Sequence, residues 1–336
     1  MPSIFQRLKE TAQLAGSSQE KNKKFRWSLI LSLGLTILFL FLALKDAKFS
    51  EIKQISGSIQ VIYLVYAVGI STMAYILRAT RWSVLLSAEK KLPIKTVFWA
   101  NMIGYLGNGF LPARAGEMLR AIAIGNQGGI SKMFALATGV TERILDVIAL
   151  VIIALITLPF IKVLPSQILT AIQWMGAAGL FALAFLFVLP VAKPLLNRVV
   201  NHLPVSWRSK YQMLLENALV GFRSIQSPQR AISFVVLTAL IWVTDALGTA
   251  VGVRALNLSL SLPQALLFLV TLGLSSAIPT PGNLGVYQWV AVQMLPQFGF
   301  TNNEALVYIV IAQAISYVFI SFWGILSLWQ IDLLKR

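Results

Sequence analysis

The chain has 336 residues, 57% of them hydrophobic and 12% charged, with a formal net charge of +16. A soluble domain does not carry that composition, and a mean hydropathy of +0.76 describes an integral membrane protein. With no cysteine and a single histidine, His202, disulfides, thiolate chemistry and cysteine metal sites are excluded.

A basic tail (1–26) precedes a single transmembrane domain (27–330), and a short tail (331–336) closes the chain. The apolar run 27–44 is long enough to span and reads as an anchor rather than a cleaved signal. A charged loop at 45–53 leads to a second span at 59–77, which ends at Arg78 and Arg81. The apolar stretch 96–105 is too short to cross; glycine and proline break it, and a short helix at 117–124 returns, which makes a re-entrant hairpin. Spans at 132–158 and 168–189 follow, so the first half covers 27–158 and the second 167–330. A basic connector, 193–230, carries Trp207, Tyr211, Leu214 and Leu215 on one face and reads as a membrane-surface segment. A fifth span at 231–253, a second broken hairpin at 262–295 and a sixth span at 304–328 complete the domain.

The two hairpins share a spacing. Gly104, Pro112 and Gly116 recur as Gly273, Pro281 and Gly285, and each segment follows a Leu-Pro step, Leu92-Pro93 or Leu262-Pro263. Interrupted apolar segments at corresponding places in two halves point to a transporter site, with these glycines and prolines as its backbone hinges. Three full spans separate the hairpins, so they enter from opposite faces. The expected fold is an all-α integral membrane protein. It has about six full transmembrane helices plus two re-entrant broken-helix hairpins, arranged as an inverted repeat.

Charge counting sets the orientation. With an inside N-terminus, the cytoplasm receives Arg7, Lys9, Lys21, Lys23, Lys24, Arg26, Arg78, Arg81, Lys90, Lys91 and Lys95. It also receives the connector and the tail Lys335-Arg336, whereas the outside receives Lys45, Lys48, Lys53, Lys162 and Arg254. That asymmetry predicts two cytoplasmic termini. It also accounts for the net charge without nucleic acid, because the basic loops lack stacking aromatics and suit anionic lipid headgroups.

Ionisable groups at membrane depth are costly and mark function or a locked network. Arg114, Glu117 and Arg120 lie in and just after the first break. Arg114 suits an anion beside free amides, and Glu117 suits the start of a returning helix. Glu142, Arg143 and Asp146 crowd one turn of the third span, Glu142 and Asp146 on one face. Both a ligand role and a closed structural network, with Arg114 or Arg120 as partners, fit that pattern. Asp245 interrupts the fifth span, and Asn283 and Gln288 offer neutral hydrogen bonds in the uncharged second break. Tyr287 and Trp289 read as packing or interface aromatics. No nucleophile with an adjacent base, phosphate loop or metal cluster stands out, so neither enzymatic activity nor a cofactor is expected.

The segments Leu111-Pro112-Ala113-Arg114-Ala115-Gly116-Glu117-Met118-Leu119-Arg120, Glu142-Arg143-Ile144-Leu145-Asp146 and Pro281-Gly282-Asn283-Leu284-Gly285-Val286 carry a resemblance. From about Trp27 onward the chain resembles the transmembrane, flippase-type domain of lysylphosphatidylglycerol synthases. The resemblance implies a stand-alone lipid-translocating domain, or one associated with lipid-linked sugars. The aminoacyl-transfer domain of the full synthases has no counterpart here, so lysine transfer is not expected. Gln288 stands where the family usually has an acid, and Ser316 or Tyr317 near where it often has an arginine, so the family's headgroup preference does not carry over.

The leading expectation is a flippase or scramblase-like carrier of a phospholipid or polyprenyl-linked lipid in a prokaryotic inner membrane. An ion-coupled small-solute transporter and a non-transporting partner of an envelope-lipid or glycolipid enzyme are the alternatives. A lipid-modifying enzyme and a second copy in a homodimer are the protein partners to test for.

Overall fold

A computed structural model describes residues 30–111, 115–160 and 223–330, with isolated positions between 170 and 221. The helices among them are α1 (Ile30–Leu44), α2 (Phe49–Gly57), α3 (Val61–Leu86), α4 (Ile94–Phe110), α5 (Gly116–Gly128) and α6 (Lys132–Thr157). They continue with α7 (Pro228–Val253), α8 (Leu262–Ser275), α9 (Val286–Met294) and α10 (Asn302–Gln330). The tail 1–26, Pro112, Arg114, the tail 331–336 and, isolated positions aside, the expected fourth span and most of the connector lie outside the described residues.

The chain is an all-α membrane protein. α3, α6, α7 and α10 are long and apolar enough to cross a bilayer. Their outward faces expose Val65, Ile152, Val235 and Val318, while Arg81, Asn101, Arg120 and Glu142 are buried. An apolar exterior with charged groups buried inside is what lipid, rather than water, selects.

Both hairpins start for the same local reason. Pro93 precedes the first turn of α4 and Pro263 sits within that of α8, where no amide donor is needed. Ser261 and Gln264 close the α8 start, Ser261 N donating to Gln264 Oε1 at 2.9 Å. The first break is short, because α4 runs on to Phe110 and α5 resumes at Gly116. The second is longer and includes Gly282, Asn283 and Gly285 at φ 54, 60 and 81.

Among the described residues, the corresponding helices α3 and α7 run antiparallel. Gln60 N at the start of α3 donates to Ala255 O beyond the end of α7 at 2.8 Å. Arg81, near the end of α3, reaches Thr238 in the first half of α7 at 3.2 Å. The first arm of each hairpin packs on the last long helix of the other half, α4 on α10 and α8 on α6. This reciprocal packing is an inverted repeat.

Two expectations need correcting. The second span does not end at Leu77: α3 continues to Leu86 and carries Arg78 and Arg81 inside the bundle, so neither belongs to a cytoplasmic loop. The loop expected at 45–53 becomes helical from Phe49, because Ile52 and Ile55, three residues apart, pack on the core. α2 turns 84° from α1, and Asn303 Oδ1 on α10 accepts from Lys48 N at 3.1 Å.

The matched glycines act differently in the two hairpins. A Cβ at Gly116 would lie 1.9 Å from Gly104 O, so the arms of the first hairpin touch backbone to backbone. A Cβ at Gly273 meets only the Leu150 side chain, at 2.9 Å. Gly116→Ala is therefore expected to cost at least the ~1–3 kcal/mol typical of overpacking, whereas Gly273→Ala is absorbed by rotation of Leu150. Thermal unfolding of the two variants in detergent checks this; equal melting points would contradict the close approach.

Candidate functional site

Six charged residues of the first half form a closed ring. Arg81 on α3 meets Glu142 at 2.8 Å and Asp146 at 2.6 Å on α6. Arg120 on α5 meets Glu142 at 2.9 Å and Glu117 at 2.7 Å. Arg143 closes the circuit, 2.7 Å from Glu117 and 3.3 Å from Asp146. Cations and anions alternate around it, and the charges cancel. The arginines also lie over aromatic faces, Arg120 at 4.6 Å from the Trp82 ring and Arg81 at 4.9 Å from that of Phe234. Side chains of Arg81, Arg120 and Glu142 are 5% exposed, but that of Arg143 is 43% exposed, so the ring has a sealed side and an open edge.

Where the hairpin tips meet lie two adjoining cavities, of about 390 and 430 Å³. The first is walled by Asn108 and Gly109 from α4, Gly282 and Asn283 from the second break, and Gln313 and Tyr317 from α10. The second reaches toward α3 and α7, past Ser71, Tyr75, Arg78 and Asp245. Tyr105, Tyr287, Tyr308 and Ser316 border both. None of the six ring residues lines either cavity. Asn108 joins ring to cavity: its Nδ2 donates to Glu117 Oε1 at 3.4 Å, and the residue lines the cavity wall.

Arg78 and Asp245 form a separate, two-pronged pair across α3 and α7, with the longer contact at 3.3 Å. Each lies seventeen residues from the start of its helix, 61 to 78 and 228 to 245. Equal positions on antiparallel copies meet near the axis that relates the halves, so this pair marks the centre of the repeat.

The second half repeats the ring's position without its charge. Glu117, early in α5, pairs with Arg143, eleven residues into α6 (132 to 143). Gln288, early in α9, pairs with Gln313, eleven residues into α10 (302 to 313). Gln288 Oε1 accepts from Gly285 N at 2.8 Å, and Gly282 O accepts from Gln313 Nε2 at 3.0 Å and Tyr317 Oη at 2.8 Å. Neutral amides thus tie the second break to α10.

Residues 29–324 match the family described as Lysylphosphatidylglycerol synthase TM region. The chain belongs to this family. It is also similar to a UPF0104 membrane protein of Methanocaldococcus jannaschii, 23% identical over 228 residues that cover 67% of this chain and 94% of that protein. No solved structure matches it.

The charged segments that carry the resemblance supply five ring members, Glu117, Arg120, Glu142, Arg143 and Asp146, and Arg81 supplies the sixth. This arrangement favours the locked network over direct ligand contact for Glu142, which lies between two guanidiniums. Asp245 and Asn283 face cavities; Gln288 is buried against Gln313 and lines neither. Of the aromatics, Trp289 packs on Phe39 at 5.3 Å between ring centres, while Tyr287 borders both cavities. Sequence reasoning missed Arg78, Arg81 and the cavity tyrosines. The available signal was the apolar continuation Val84-Leu85-Leu86, which extends the helix past both arginines.

Glu142→Gln should destabilise the fold by about 3–5 kcal/mol, because Arg81 and Arg120 each lose a buried partner. Arg143→Ala should cost clearly less, since half of that side chain already meets its surroundings. Melting temperatures in one detergent would show the ranking, and a Glu142→Gln variant as stable as the parent would refute the ring as a structural lock.

Proposed function

We propose that this protein moves a membrane lipid, a phospholipid or another lipid-linked headgroup, between the leaflets of a prokaryotic inner membrane. The observation that carries this reading is the pair of cavities where the two broken hairpins meet. Irregular backbone survives at membrane depth only where protein or a cavity satisfies it. Both volumes, about 390 and 430 Å³, fall in the range of small-ligand sites. The headgroup enters this space while the acyl chains stay in lipid. Antiparallel halves supply the means of alternating access, one half rocking against the other about a central site. Both termini are cytoplasmic in this reading, and the chain performs no covalent chemistry.

Asp245, on the wall of the second cavity, favours one second reading, ion-coupled transport of a small solute. Tail-labelled lipid in proteoliposomes separates the two. The first reading expects lipid to cross faster than in protein-free vesicles, without an ion gradient. Replacing both Arg78 and Asp245, as Arg78→Gln with Asp245→Asn, removes the pair without stranding a charge. It should slow the crossing by about tenfold, the equivalent of ~1.4 kcal/mol. Lipid movement no faster than in empty vesicles would refute the lipid reading.

A further inference from the structure

The cavities also indicate what kind of headgroup they accept, an inference that rests on the lipid reading above. We propose that the group received there is an uncharged, polyhydroxylated one: a sugar carried on a lipid.

The first support is charge. Among the described residues lining the two cavities, Arg78 and Asp245 carry the only charges, and each holds the other. The remaining acids of this region, Glu117, Glu142 and Asp146, are paired in the ring and border neither cavity. A cationic headgroup would have to enter without a free carboxylate or take Asp245 from Arg78. An anionic one meets the mirror-image problem. Either leaves a charge unpaired at membrane depth, at a cost of several kcal/mol. A neutral headgroup avoids both.

The second support is the kind of surface presented. The chain has eight tyrosines, and five of them, Tyr75, Tyr105, Tyr287, Tyr308 and Tyr317, border the cavities, where they place rings with polar tips among aliphatic side chains such as Leu269, Leu272 and Ala312. A pyranose has weakly polar C–H faces and a rim of hydroxyls. The faces suit aromatic rings, whose negative surfaces attract C–H groups. The rim suits groups that both donate and accept, which Asn108, Asn283 and Ser316 supply.

The third support comes from the repeat. Where the first half places Glu117 against Arg143, the second places Gln288 against Gln313. The second break, which walls the first cavity, is held by amides and backbone carbonyls. The first cavity thus has no charged residue in its wall, and the second has only the Arg78–Asp245 pair.

The test uses the full chain in proteoliposomes with three tail-labelled lipids of matched chains: a glucosyl diacylglycerol, an aminoacyl phosphatidylglycerol and phosphatidic acid. Free labelled glucose is followed in the same vesicles. The glucosyl lipid should move at least about tenfold faster than either charged lipid, a discrimination within reach of a hydrogen-bonding site. Asn283→Gly keeps the positive backbone angle while removing the amide, and Tyr105→Leu removes a ring. Each, folded by its melting curve, should narrow that preference. A charged lipid moving as fast as the glucosyl lipid would overturn the sugar assignment and leave lipid translocation standing. Free glucose moving while the glucosyl lipid does not would keep the sugar site and remove its lipid carrier. No movement of any probe would overturn both readings. An unchanged preference in both folded variants would show that the sugar does not use these cavities.

Discussion

Burying a guanidinium among helices costs several kcal/mol unless carboxylates meet it. Arg81 and Arg120 meet that condition through one shared acid, Glu142, and through Asp146 and Glu117 on either side. Arg143 then closes the circuit. Because the six members come from α3, α5 and α6, sliding any one of these helices opens ion pairs. The ring therefore fixes the returning arm of the first hairpin. The Gly104–Gly116 backbone contact needs α5 in that place, and so does Asn108, which joins Glu117 to the cavity wall.

The second half keeps the architecture and drops the charge. Its hairpin is held by the Gln288–Gln313 pair and by Gly282 O, which accepts from Gln313 and Tyr317. Neutral hydrogen bonds contribute about 1 kcal/mol each, well below the cost of breaking a buried ion pair. The two hairpins are thus held by different chemistry, ion pairs in the first and neutral hydrogen bonds in the second, and both tips wall the first cavity. Between the halves, Arg78 and Asp245 pair where α3 and α7 cross, at equal positions in each copy.

Much of this layout was legible in the sequence because its signals are local. Apolar length located α3, α6, α7 and α10, and the glycine, proline and Leu-Pro spacings located both hairpins. The spacing of Glu142 and Asp146 placed them on one face, and Arg120 was among their anticipated partners. What escaped was long-range. Arg78 and Arg81 look like loop charges until Leu85 and Leu86 are seen to continue the helix. Their acids lie far along the chain, at Asp245 and at Glu142 and Asp146, and no local spacing links them. The cavity tyrosines come from four different helices, α3, α4, α9 and α10, so only the tertiary fold gathers them.

The central claim is that the space between the hairpin tips carries the transported headgroup. Ser316 borders both cavities, and the chain has no native cysteine, so Ser316→Cys gives a near-isosteric thiol without background. The most direct measurement is lipid movement in proteoliposomes before and after this thiol reacts with a small, water-soluble maleimide. The account predicts that the thiol is modified and that modification stops lipid movement. Full modification with lipid movement unchanged would contradict it.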